Sequence, residues 1–328
     1  GLPFHPPQGT EVAASKLLTR GRLIAAGLPV PWFVSMPIDA PMHEFAARVR
    51  FPCVVKPLAL SASRGVMRAD TPDEFAQALA RLRRILQSPD VRVQRDPAHD
   101  EVLVEGFVPG LEYALEGVME RGALRVLAIF AKPVPLDGPF FEETVYVTPA
   151  GLNEATQRGM AETVAHAALA IGLHHGAIHA ECRVNERGIF VLEVAARPIG
   201  GLCARGLRFR APDDETQAPE HLLLRHACGQ PLDGFRREAG ASAVMMLPVP
   251  GRGFYRDTAG VEQALAVPGI TDVIITAKPG QLLEPLPEGH SYPGFIFARG
   301  ATPEEAVRAV NDAHGLLRFT LDSALPMA

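Results

Sequence analysis

The chain has 328 residues, 47% of them hydrophobic and 21% charged, with a formal net charge of -5. This is a globular composition with apolar material for two or three cores. No uncharged apolar run reaches the ~18 to 20 residues of a bilayer span, the start Gly1-Leu2-Pro3-Phe4 shows no export pattern, and the acidic balance offers no basic field to nucleic acid.

Residues 10–26 carry apolar side chains at helical spacing and stop at Gly27, which predicts one helix. Pro29 and Pro31 precede a short strand at 32–35, and 42–49 reads as a second short helix. Phe51-Pro52-Cys53-Val54-Val55-Lys56-Pro57 predicts a strand that runs into the small-residue loop Leu60-Ser61-Ala62-Ser63-Arg64-Gly65. Thr71-Pro72-Asp73-Glu74 combines an N-cap threonine, a proline at the first helical position and a glutamate at the third, and starts a helix up to about Gln87. After an irregular polar stretch at 90–100, the segments 101–107, 112–120 and 124–132 predict successive strands. Residues 133–149 form a long loop with Phe140 and Phe141 at its tip, the kind of segment that serves as a lid. A periodic helix at 153–171 ends at Gly172, two strands follow across a short turn, and a helix at 221–227 comes after a loop. From Ala241 the pattern restarts as strand, helix, strand, strand and helix, which predicts a separate C-terminal α+β unit of roughly 85 residues.

Cys53, Cys182, Cys203 and Cys228 are too sparse and too far apart for a disulfide framework or a C-x-x-C site, and read as reduced core thiols of a cytoplasmic protein. Of 32 basic residues only Lys16, Lys56, Lys132 and Lys278 are lysine, so each is a candidate for a site that needs a compact ammonium rather than a solvated charge.

The densest chemistry lies between Gly176 and Gly201. Strands 177–185 and 189–197 are joined by Glu186-Arg187-Gly188, read as a three-residue hairpin loop with glycine at the left-handed position. That loop puts Glu181 opposite Glu193, Arg183 opposite Val191 and His179 opposite Ala195 on one face. The other face, with Ile178, Ala180, Cys182, Val184, Phe190, Leu192, Val194 and Ala196, is wholly apolar. Two carboxylates about 5 Å apart repel unless a cation lies between them, and Mg²⁺ is the ordinary hard cation for oxygen pairs. The structural alternative pairs Glu181 with Arg183 or Arg197 and leaves Glu193 in water.

Lys56 sits at the exit of its strand, before a loop whose Ser61, Ser63 and Gly65 allow close backbone approach to an anion such as a triphosphate. With the hinge "VEGFVPGLE" and an H-x-E hairpin ending E-x-x-x-R-x-x-G-G, the set resembles the ATP-grasp superfamily of carboxylate-amine ligases over roughly residues 10–230. The segment "GITDVIITAKPGQLLEPLPEGHSYPGFIFARG" looks like the C-terminal domain of the L-amino-acid ligase branch.

The resemblance implies an α+β ATP-grasp fold, two α+β subdomains gripping ATP, with an additional C-terminal α+β domain. Residues 1–50 would be a linker and helical lead-in, 51–110 the small subdomain, 111–235 the large one and 236–328 the C-terminal domain. By resemblance Lys16 and Lys56 hold the ATP phosphates, Lys56 also acting in catalysis, and the loop of Ser61, Ser63 and Gly65 closes over them. Glu105, Phe107 and Val108 meet the adenine and Glu112 the ribose. Glu181 and Glu193 carry Mg²⁺, with Mn²⁺ as an alternative, and Arg197 faces the transferred phosphoryl group.

Two departures stand out. Ala195 occupies the position where many ATP-grasp enzymes place an asparagine, which removes one metal oxygen. The family usually has a further α/β domain ahead of the Lys16 segment, so this chain is expected to be part of a longer protein. The expected activity is ATP-dependent amide formation between a small-molecule carboxylate and an amine, amino acids first, with a homodimer as a compatible assembly. Alternatives are a ligase or carboxylase with another acceptor, and a nucleotide-binding module without turnover.

Overall fold

The computed structural model describes residues 2–323, with four sheets and helices packed on their faces. A four-stranded antiparallel sheet has the order Phe33–Pro37, Glu101–Gly106, Cys53–Pro57, Met67–Ala69. Helix Pro72–Leu86 covers it. Its Thr71 hydroxyl accepts the Glu74 N–H, while Glu74 Oε2 accepts the Asp70 N–H 2.7 Å away, so side chains satisfy the exposed first turn. Phe75, Leu79, Leu82 and Leu86 recur on one helical stripe and are buried against Val55, Val102 and Val104.

An eight-stranded antiparallel sheet forms the main body. Its order is Ile270–Ile275, Gly294–Gly300, Ala241–Met246, Val145–Thr148, Ala123–Lys132, Leu111–Glu120, Gly176–Asn185, Gly188–Ala195. The sheet thus runs across the boundary drawn at 235, because Ala241–Met246 hydrogen-bonds onto Val145–Thr148 and is extended by Gly294–Gly300 and Ile270–Ile275, while Gly253–Ala259, Leu282–Leu283 and Arg318–Ser323 form a separate three-stranded sheet. Helix Glu154–Ile171 packs with Tyr113, Leu115, Ile178, Ala180 and Cys182 on one face. The pleat sends Glu112, Glu116, His179, Glu181 and Arg183 to the other face.

The predicted helix at 10–26 is two helices, Pro7–Ala14 and Lys16–Ala25. Ser15 is extended at φ -105° and ψ 113°, and its hydroxyl accepts the Leu18 N–H, so an N-cap interrupts the periodic run. The hairpin also differs from expectation. Asn185 pairs with Gly188, which leaves a two-residue turn, and a bulge at Leu192 shifts the register by one. The two changes compensate: Glu181 still faces Glu193 and His179 faces Ala195, whereas Arg183 faces Phe190 instead of Val191. Val191 and Ile189 consequently join the core under helix Glu154–Ile171, and Leu192 turns to the cleft.

Candidate active site

A cleft of about 640 Å³ opens between the four-stranded sheet and the polar face of the large one. Of the residues predicted to carry the site, all but Gly65 line it. Gly65 holds φ +74°, a Cβ there would stand 2.8 Å from Leu82 Cδ1, and its N–H donates to the Pro287 carbonyl at 2.9 Å. Its amide is therefore engaged away from the cleft, and the conformation of the loop is what requires glycine. Ser61 and Ser63 do face the cleft.

Strand register builds the small-sheet wall. Val54 pairs with Glu105 and Lys56 with Leu103, so Lys56 and Glu105 are diagonal neighbours on the face opposite Val55 and Val104. They form an ion pair. Arg20 completes it from helix Lys16–Ala25, with Nε 3.0 Å from Glu105 Oε2 and Nη2 3.3 Å from Oε1. Burial pushes the Glu105 carboxyl up, but the two cations outweigh it and hold it at about 2. Burial likewise lowers Lys56 against the pull of Glu105. The Glu105 carboxylate is thus held by two cations, and the residue lines the cleft.

Lys16 is the first residue of its helix because Ser15 breaks the run before it. Its Nζ donates to the Leu60 carbonyl at 2.9 Å, at the base of the 61–65 loop, and burial lowers its pKa. Phe107 lies under the guanidinium groups of Arg68, 4.1 Å from its centroid, and Arg183 at 5.1 Å, so its ring is a braced wall rather than a free stacking plate. Val108 is buried beside it, its carbonyl accepting from Arg183 Nη1 at 2.7 Å.

On the large sheet Glu112 stands opposite both Lys132 and Arg183, with Ala114 opposite Glu181 and Glu116 opposite His179. Lys132 Nζ lies 2.6 Å from Glu112 Oε1 and 2.9 Å from Glu181 Oε1, and also bonds Glu143. Burial disfavours its charge, yet the three carboxylates raise its pKa well above the usual lysine range. Burial drives Glu143 up to about 7, with Glu181 and Glu112 adding to the rise and Lys132 opposing it. The other oxygen of Glu112 accepts from Arg183 Nε at 3.0 Å, so the residue expected at the ribose already has both oxygens engaged; each keeps a further lone pair. Glu116 accepts from the His179 ring and, through Oε2, from the Ile199 N–H at 2.9 Å. Burial disfavours the His179 imidazolium, but Glu116 and Glu181 raise its pKa to about 10.

The donor set fits a hard cation. Among the described residues, Glu112, Glu143 and Glu181 bring one oxygen each within 4.8 Å of one another. Glu193 lies outside this group, opposite Glu181, and makes no ion pair among the described residues. The expected Glu181 and Glu193 pair is therefore part of a larger acidic surface whose interior already holds one ammonium. Arg197 is exposed, its Nη1 donates to the Pro198 carbonyl at 3.0 Å, and it forms no ion pair among the described residues. The cations on Glu181 are Lys132 and His179 instead.

In the sequence Lys132 stands out only by the rarity of lysine, Glu143 belongs to the Phe140 to Glu143 loop expected to exclude water, and Arg20 and Glu116 carry no expectation. A signal for Arg20 was its place four residues after Lys16, on the same helical face. Glu143 lay hidden in a loop with no period.

Residues 49–205 match the ATP-grasp domain family and residues 245–322 match L-amino acid ligase C-terminal domain 2. The crystal structure of L-amino acid ligase from Bacillus licheniformis aligns with a TM-score of 0.81 at 27% identity, covering 98% of this chain and 76% of that one. The chain is 30% identical over 239 residues to the formate-dependent phosphoribosylglycinamide formyltransferase of Delftia acidovorans, covering 70% of this chain and 53% of that protein. It is 32% identical over 168 residues to the D-alanine–D-alanine ligase of Laribacter hongkongensis, 49% of each. The chain spans about half the length of the curated relatives it matches. With lysines, small-residue loop and acidic face gathered in one cleft, this chain carries an ATP-grasp domain followed by a C-terminal domain of the L-amino acid ligase kind.

Proposed function

We propose that this chain forms the nucleotide and metal site of an ATP-dependent ligase that joins a carboxylate to an amine, amino acids in the first place, through an acyl phosphate. The observation that carries this reading is the cleft itself. It sets half-buried Lys16 and Lys56 and the serines of the 61–65 loop against Glu181, Glu193 and Arg197, which forms no ion pair among the described residues. Similarity to an L-amino acid ligase and to a D-alanine–D-alanine ligase supports the amino-acid class.

In the proposed reaction a substrate carboxylate oxygen attacks the γ-phosphorus of ATP and ADP leaves. The amine then attacks the acyl carbon, loses a proton and expels phosphate. Mg²⁺ held by Glu181 and Glu193 would offset phosphate charge, and Mn²⁺ could replace it at the same oxygens. Lys16 and Lys56 present ammonium groups on the loop side of the cleft, where phosphate charge would be neutralised. Arg197, with a guanidinium not tied to any carboxylate among the described residues, can take two oxygens of the transferred group. Phe141 and Glu143 line the cleft from the 133–144 loop, which supports a role for that loop in excluding water from the acyl phosphate.

The deciding experiment measures ADP release from MgATP while amino acids are screened in pairs. Turnover that requires two amino acids supports the reading. ATP binding without turnover for any carboxylate and amine pair, in the chain and in a longer protein containing it, would return the site to a nucleotide-binding module.

A further inference from the structure

The 61–65 loop is held from outside its own sheet. A turn at 285–289 in the C-terminal segment reaches it: Gly65 N–H donates to the Pro287 carbonyl at 2.9 Å and Arg64 Nε to the Glu288 carbonyl at 2.8 Å. The Glu288 carboxylate then takes a forked pair from Arg81 on helix Pro72–Leu86, with Nε at 2.5 Å and Nη2 at 2.7 Å. Arg64 is itself buried and also bonds Asp90 at 2.6 Å. The turn keeps its shape by its own bond, Gly289 N–H to the Pro285 carbonyl at 3.0 Å.

The loop needs such support. Ala62 and Ser63 sit at φ 53° and φ 56°, in the left-handed region that costs a residue with a side chain conformational energy, and such residues persist only where their surroundings over-determine them. Ser63 carries one of the hydroxyls lining the cleft, so what fixes its backbone also fixes what the cleft presents to a ligand. The same helix residue, Arg81, lies over the Phe140 ring at 5.0 Å, so helix, turn and the tip of the 133–144 loop meet at one guanidinium.

We propose that the 285–289 turn is a brace by which the C-terminal segment sets the conformation of the 61–65 loop, with Glu288 as its positioning residue. The consequence for ATP rests on the ligase reading above; the brace itself does not. A braced loop is already in the binding-competent form, whereas an unbraced one divides its population, and apparent affinity falls by that fraction.

The test compares the full chain with Glu288→Ala and with the shape-preserving Glu288→Gln, should the alanine variant fold poorly. Hydrogen exchange is read on peptides covering 58–66, and MgATP affinity by calorimetry. Loss of a half-exposed forked pair should speed exchange at 58–66 and weaken MgATP about fivefold in Glu288→Ala, with a smaller change in Glu288→Gln. Exchange of strand Ala241–Met246 should stay at the wild-type rate. In turnover assays KM for ATP should rise while kcat stays within about twofold. Adding Arg81→Ala to Glu288→Ala should change exchange less than the sum of the single effects, because the two share one interaction. Unchanged exchange at 58–66 in both Glu288 variants would overturn the brace, even if MgATP affinity fell. Faster exchange with unchanged affinity would overturn the positioning role. A wild-type chain that binds no MgATP would instead overturn the ligase reading, and exchange alone would then decide the brace.

Discussion

Lys132 Nζ lies 2.9 Å from Glu181 Oε1, although the two residues come from strands separated by Leu111–Glu120. The ammonium reaches across that strand to a carboxylate expected to hold a metal. It thereby neutralises part of a surface that also holds Glu112 and Glu143.

Removing that ammonium should be costly to the fold. Lys132→Met leaves three half-buried or buried carboxylates without their shared cation. At pH 8, urea denaturation should show a loss of about 3 kcal/mol or more. A change below about 1 kcal/mol would show that the cluster relaxes or binds a cation in its place.

Glu193 should behave in the opposite way. It makes no ion pair among the described residues, so Glu193→Gln should leave the melting temperature within about 2 °C of wild type. Mg²⁺-dependent ATP turnover should fall by about two orders of magnitude. Wild-type turnover in this variant would remove Glu193 from the metal site.

For Arg197, geometry and charge separate two roles. The guanidinium is exposed and not paired with Glu181 or Glu193 among the described residues, so its conservative replacement has little to do with stability. Arg197→Lys keeps the charge and loses the planar fork, and should lower kcat by roughly two orders of magnitude while MgATP affinity changes by less than about threefold. A near-normal kcat would leave Arg197 as a surface residue at the cleft rim.

Glu105 supplies a pH-dependent term. Its carboxyl is held at about 2 against an ordinary 4.5, so its contribution to stability is complete above about 4.5 and is lost as pH falls from there toward 2. The difference corresponds to roughly 3 kcal/mol. Glu105→Gln should destabilise the chain by about that amount at pH 7 and flatten the fall in stability between pH 4.5 and 2. An unchanged acid profile in that variant would show that other carboxylates govern acid unfolding.

What the chain's spacing determines by itself is whatever local geometry dictates. Thr71 to Glu74 start a helix because cap, proline and glutamate satisfy the first turn within a few residues. The pleat's period of two puts Glu181 on the polar side of its strand, but it faces Glu193 only because the Leu192 bulge offsets the two-residue turn. Lys56 and the serines stand out because a strand exit and a run of small residues are contiguous in sequence. Tertiary structure decides the rest. The Leu192 bulge depends on which apolar residues the helix Glu154–Ile171 accepts, a choice that turn chemistry does not see. Arg20 meets Glu105 across 85 positions and Lys132 meets Glu181 across 49. Strand Ala241–Met246 joins the large sheet at its Val145–Thr148 edge and brings Gly294–Gly300 and Ile270–Ile275 with it. Such pairings form between surfaces that exist only after the local elements have folded, so no spacing in the chain records them.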